Sequence, residues 1–106
     1  MDIVNLTPHD IVIVDNFTHD VIKTYPSKGN ARISVLYMEK ENINGVPIVD
    51  EVLGSVYGLP EKEEEHYYIV SNIVKAQLPD REDLLAPVDF VRDMQGKIIG
   101  CKGFRR

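Results

Sequence analysis

Short runs of β-branched and aromatic residues, broken by turn residues every eight to twelve positions, constrain this chain more than any other feature. That rhythm belongs to a sandwich or a barrel-like sheet. Ile11-Val12-Ile13-Val14 and Val21-Ile22-Lys23-Thr24-Tyr25 flank a polar connection from Asp15 to Asp20, the pattern of a hairpin. Arg32 to Asn42 reads as a longer strand ending at Asn44-Gly45. Asn-Gly is the strongest short hairpin signal, because both residues tolerate the positive φ of a type I′ turn. Val46 to Val49 returns, and Pro47 within it marks an edge or a bulge, since proline cannot donate to a ladder. Val52 to Tyr57 is a further strand, closed by Gly58-Leu59-Pro60, and Tyr67 to Val70 is an inner one. Ser71 caps a short helix over Asn72 to Leu78, with Ile73, Val74 and Leu78 toward the core and Pro79 ending it. A helix this short is held by packing. Phe90 to Asp93, a turn through Gly96, and Lys97 to Cys101 form a C-terminal hairpin. The expected architecture is mostly β (a β-rich α+β fold). It is one domain over residues 1–106, an antiparallel sheet or barrel-like sandwich with one short helix near 72–78.

A chain of 106 residues with 43% apolar and 27% charged residues fills one core and keeps its surface wet. No run approaches the roughly 18 apolar residues of a membrane span, and Met1-Asp2-Ile3-Val4-Asn5 lacks the basic head of an export signal. The single Cys101 forms no internal disulfide. A cytoplasmic protein with no membrane partner is expected. The net charge of −5 repels phosphate backbones and disfavours nucleic acid. Four basic residues without an acid between Lys97 and Arg106 read as a charged tail, and Glu61-Lys62-Glu63-Glu64-Glu65 as a solvated loop.

His9-Asp10 and His19-Asp20 resemble acid/base or metal-ligand pairs. The 11–14/21–25 hairpin sets them at opposite ends, roughly 17 Å apart, so they share no metal. No metal site and no cofactor is expected. His66 stands alone beside the acidic loop. His9, in the turn Thr7-Pro8-His9-Asp10, is the histidine aimed from a fixed position. Cys101, flanked by strand residues, reads as a small buried hydrophobe rather than a nucleophile. The helix start at Ser71-Asn72 presents N–H groups to an anion, with Arg81 or Arg92 adding a bidentate contact. The alternative is a capped helix with arginines paired to Asp83 or Asp93. A catalytic arrangement would use His9 as general base, Asp83 or Asp93 to orient it, and Arg81 or Arg92 to stabilise negative charge.

Asn5-Leu6-Thr7-Pro8-His9, Gly58-Leu59-Pro60, Tyr68-Ile69-Val70-Ser71, Arg81 with Asp83, Pro87, Val91-Arg92-Asp93 and Ile98-Ile99-Gly100-Cys101-Lys102-Gly103 follow one another in that order. In this the chain resembles a family of uncharacterised small proteins, of about this length, from bacteria and from tailed-phage or prophage genomes. Relatives carry a glycine near Pro87 where this chain reads Ala86-Pro87-Val88-Asp89, so that loop is expected to differ. The resemblance implies a setting rather than a reaction. It makes Thr7, His9, Ser71, Arg81, Asp83, Arg92 and Asp93 candidates for a shared site. The leading expectation is a non-catalytic binding module acting as a homo-oligomer. It would hold a nucleotide-like or anionic small molecule through Thr7, His9, Ser71, Asn72, Arg81 and Arg92, or block a host protein. The alternatives are a small hydrolase or transferase built on His9, and a structural or virion-associated protein whose Pro47 edge pairs with another chain.

Overall fold

The computed structural model describes all residues from Met1 to Arg106. Eight strands and one helix follow in the order β1 (Asp2–Asn5), β2 (Ile11–Val14), β3 (Val21–Tyr25), β4 (Arg32–Ile43), β5 (Val46–Tyr57), β6 (His66–Ile69), α1 (Asn72–Gln77), β7 (Leu84–Arg92) and β8 (Ile98–Arg105). The fold is strand-rich with one short helix, as the sequence rhythm implies. Six strands form a sheet in the order β1-β6-β7-β8-β2-β3, while β4 and β5 pair only with each other. The large sheet is mixed. Its sequence-local pairs, β2–β3 and β7–β8, are antiparallel, and the pairs between distant segments, β1–β6, β6–β7 and β2–β8, are parallel.

The hairpins form where local chemistry dictates. Asp15 accepts hydrogen bonds from the backbone N–H groups of Phe17 and Thr18, which folds the β2–β3 connection. These bonds hold its carboxyl below the usual carboxylate range. Asp93 plays the same part between β7 and β8, accepting from the Gln95 and Lys97 N–H groups. Asn44 and Gly45 both take positive φ, 51° and 83°, as the type I′ turn requires. The ribbon they close differs from expectation in length. Val46 to Val49 and Val52 to Tyr57 are parts of one 12-residue strand. Gly100 lets β8 approach β2, because an added Cβ there would stand 2.8 Å from Val14 Cγ1.

Three further segments differ from the sequence reading. Asp2–Asn5 is a strand, paired in register with His66–Ile69. Ala86 to Asp89 is strand rather than loop, with Asp89 at φ 59°. Lys102 to Arg105 continues β8 instead of forming a charged tail, because Ala86, Pro87 and Val88 pair with Arg105, Phe104 and Gly103. On α1, Ser71 Oγ accepts from the Val74 N–H as the expected cap. Ile73, however, faces solvent, and Val74 and Lys75 are the buried pair.

The core gathers Leu6, Ala31, Tyr68, Val70, Val74 and Leu84, packed by Val4, Val56, Leu59 and Leu78. It lies where α1 and the base of the β4–β5 ribbon cover one face of β6 and β7. Strand alternation sends Ile69 to the opposite face, where it is equally buried, so β6 is covered on both sides.

The outer strands of the six-strand order meet at Asn5. Its backbone bridges Ser27 in parallel, and its O accepts from the Lys28 N–H. Its buried side chain donates from Nδ2 to His9 O and Tyr25 O, both at 2.8 Å. Oδ1 accepts from the Thr7 N–H at 2.9 Å and lies 2.7 Å from the Thr7 hydroxyl. Ser27 Oγ then donates to Thr7 O. One carboxamide therefore ties β1, the turn after it and the end of β3, curling the sheet toward barrel closure. Replacing it leaves several buried groups without partners, each costing about 1–3 kcal/mol. Asn5→Ala is expected to lose about 3 kcal/mol, lowering the melting temperature by roughly 12 °C in a circular dichroism melt. A loss below about 1 kcal/mol would contradict this role.

Candidate functional site

The residues singled out in the sequence separate into groups along the sheet. Asn5 pairs with Ile69, so Thr7 and His9 after β1 and Ser71 and Asn72 after β6 leave the sheet at one end. Thr7 is buried, and its hydroxyl lies between Asn5 Oδ1 and His9 O, 2.8 Å from the latter. His9 offers its carbonyl to this knot while its residue is exposed. Ser71 is used as the helix cap. Asn72 Nδ2 points to Pro87 O at 3.4 Å, and its Oδ1 accepts from Arg105 at 2.9 Å. The start of this six-residue helix is thus filled by the protein's own groups.

Arg81 and Asp83 lie before β7. The guanidinium meets Asp83 in a two-pronged pair, Nε to Oδ1 at 2.8 Å and NH2 to Oδ2 at 2.7 Å. It also donates to Pro60 O at 3.1 Å, which fastens the Gly58-Leu59-Pro60 segment. Asp83 is 3% exposed. The hydrogen bonds from Arg81 hold its carboxyl below the usual range, and the same bonds raise Arg81. Arg92 and Asp93 are at the far end of β7, nine residues long and therefore roughly 25 Å away. Arg92 donates to Gly96 O rather than pairing with Asp93. Arg81 and Arg92 of one chain do not grip one small ligand. Nor do His9, Asp83 and Asp93 come together as base and orienter. Cys101 is buried, and that burial pushes its thiol up, away from nucleophilic use.

Two charged depressions border the start of β7, and their signs are opposite. One is lined by Met1, Lys62, Glu63, Glu64, Glu65, His66, Tyr67, Glu82, Asp83 and Arg106, an acid-rich set. Here His66 is not alone: Nδ1 lies 3.5 Å from Asp2 Oδ2 and Nε2 lies 3.2 Å from Glu63 Oε2. The other is lined by Lys75, Pro79, Arg81, Glu82 and Arg106, three cations with one carboxylate. Arg106 is held there by donating to Glu82 O at 2.9 Å, with its guanidinium 5.3 Å from the centre of the Tyr67 ring. Lys75 is 9% exposed and takes part in none of the protein's ion pairs.

Neither Lys75 nor Arg106 stood out in the sequence as a site residue. Helical spacing was the available signal for Lys75. Counting three, four and seven from Ser71 gives Val74, Lys75 and Leu78, one face of the helix. Arg106 belonged to the basic run read as a charged tail, and its position depends on β8 running the full length of the β7 pairing.

Comparison with protein families, curated proteins and solved structures found no match, so the geometry carries the functional reading.

The Arg81–Asp83 pair has a pH signature. Its folded carboxyl titrates below the unfolded value near 3.9. Its stabilisation is therefore complete above that value and lost as pH falls through the folded one. Asp83→Asn is expected to destabilise by about 2–4 kcal/mol at neutral pH, with the gap to wild type narrowing below about pH 4. Urea unfolding at both pH values measures this, and a gap that stays constant would count against the assignment.

Proposed function

We propose that the protein is a small binding module for an anionic ligand, held in the depression formed by Lys75, Arg81 and Arg106. The observation that carries this reading is Lys75, whose stem is buried while its ammonium, without a carboxylate partner, opens into the depression beside two arginines and a single acid. Among these groups only Arg81 has a carboxylate of its own, Asp83. An anion entering the depression pairs with Lys75 and relieves the repulsion among three like charges. The chain carries a net −5, so this local reversal of sign focuses anions at one place on an otherwise repelling surface.

The residues suit phosphoryl groups. Arg106 offers a planar donor set whose Nε alone is engaged, by Glu82 O. Lys75 supplies a point charge, and Arg81 adds a cation whose position Asp83 fixes. Tyr67, which lines the neighbouring acid-rich depression, supports the Arg106 guanidinium from behind. A nucleotide-like molecule fits this set through its phosphates. The resemblance to phage and prophage proteins adds a setting in which sequestering such a molecule from a host is useful.

Calorimetric titration with inorganic pyrophosphate and with ADP at low salt tests the proposal. Saturable binding is expected for at least one probe, weakening with added salt. Lys75→Ala should reduce affinity by about tenfold or more, equivalent to at least roughly 1.4 kcal/mol. Lys40→Ala, on the distant β4–β5 ribbon, should leave it unchanged. Absence of saturable binding by either probe, or equal affinity in Lys75→Ala, would overturn the reading.

A further inference from the structure

The molecule exposes more surface than a chain of its mass needs to. Its accessible surface is 7484 Å² for 12.0 kDa, against about 6,000 Å² for a compact monomer of this size. Its radius of gyration is 16.9 Å, against about 13 Å for a compact domain of this length. The excess comes with the β4–β5 ribbon, whose two 12-residue strands pair with no other strand.

Residues opposite one another in the ribbon share a face, and the faces alternate along it. One face carries four rows. Leu36–Val52 and Met38–Asp50 come first; beyond the bulge at Lys40 follow Glu41–Ile48 and Ile43–Val46. Leu36, Met38, Ile43, Val46 and Val52 are 42% to 66% exposed, and Ile48 is half-buried. The other face also has two acids in its central rows, Tyr37–Glu51 and Glu39–Val49, but ends at the turn on Asn42–Pro47, so it has one wholly apolar row, Val35–Leu53, where the first face has two. A two-stranded ribbon is marginal in water by itself, and an apolar strip of this extent on a monomer calls for a cover.

We propose that the covered partner of this strip is the same strip on a second copy of the chain, the two ribbons packing face to face about a two-fold axis. The apolar end rows match one another across such an axis. Two wholly apolar rows enclose two rows that each pair one apolar residue with one acid. Whether the ribbons run alongside or reversed, no carboxylate faces another, and the apolar end rows rather than the acid-bearing central rows supply the attraction. Lys40 already neutralises Asp50 at 3.5 Å. The exposed area of the six apolar residues is on the order of 600 Å² per copy, so two copies bury about 1,200 Å², within the range of specific interfaces. A self-complementary patch closes as a dimer and leaves no free edge of the same kind. This assembly is independent of the anion-binding reading, since no residue of the depression lies on the ribbon.

Sedimentation velocity of the full chain from micromolar to sub-millimolar concentration tests it. A reversible species of twice the chain mass is expected. The double variant Leu36→Lys/Val46→Lys should sediment as monomer with an unchanged circular dichroism spectrum. Tyr37→Ser, on the other face, should retain the dimer. Hydrogen exchange on the unaltered chain gives a second measure that does not depend on any variant folding: protection of β4 and β5 amides should fall on dilution. A wild-type chain that stays monomeric, a dimer that survives the double substitution, or ribbon protection independent of concentration would overturn the proposal.

Discussion

The Asn5 carboxamide is the interaction on which the rest of this structure depends. Only 17 of the 106 residues are buried, so the apolar core is small and closure of the sheet falls to polar groups. Asn5 uses both donors and its acceptor, binding carbonyls of His9 and Tyr25 and the N–H of Thr7. Asparagine is the side chain that offers donors and an acceptor of this size without a charge. Thr7 and Ser27 complete the knot rather than facing a ligand. The motif around Asn5 is therefore a structural clasp. It brings β3 against β1, sets the start of β4, and leaves the ribbon projecting from the body.

From that frame follows the charge layout around β7. The clasp aligns β1 beside β6, which carries Asp2 to His66 and gathers acids at one side of the Tyr67 edge. On the other side, α1 and the last residue pair of β8 bring Lys75 and Arg106 beside Arg81. Glu82 and Arg106 border both depressions, so the boundary between negative and positive surface runs through this pair. The surface potential therefore changes sign over a short distance.

Local features of the fold were legible in the sequence and long-range ones were not. The Asn44-Gly45 turn, the 11–14/21–25 hairpin, the Ser71 cap and the turn through Gly96 each rest on residues a few positions apart. Parallel pairing of Asp2–Asn5 with His66–Ile69 joins segments with no turn between them, and nothing in either segment names the other. The ribbon's second strand looked interrupted because Asp50-Glu51 resembles a break. In a two-stranded ribbon that pairs with no other strand, charged residues sit in mid-strand among apolar ones, and Asp50 is paired with Lys40. For the site, the sequence did reveal the Arg81–Asp83 pair and the inert Cys101. It assigned Ser71, Asn72, Thr7 and Arg92 to a ligand because polar motif residues look alike whether they serve an anion or their own backbone. Lys75 was hidden by the opposite effect, a lysine on the buried face of a short helix.

Side-chain hydrogen exchange of Asn5 tests the central claim most directly. If its Nδ2 protons lock the sheet closed, they exchange only when the molecule unfolds as a whole, at the rate of the slowest backbone amides of β6. Proton–nitrogen NMR resolves them from the exposed carboxamides of Asn16 and Asn42. Exchange of the Asn5 pair as fast as those exposed groups would contradict the clasp, and with it the account of how β1 and β3 are joined.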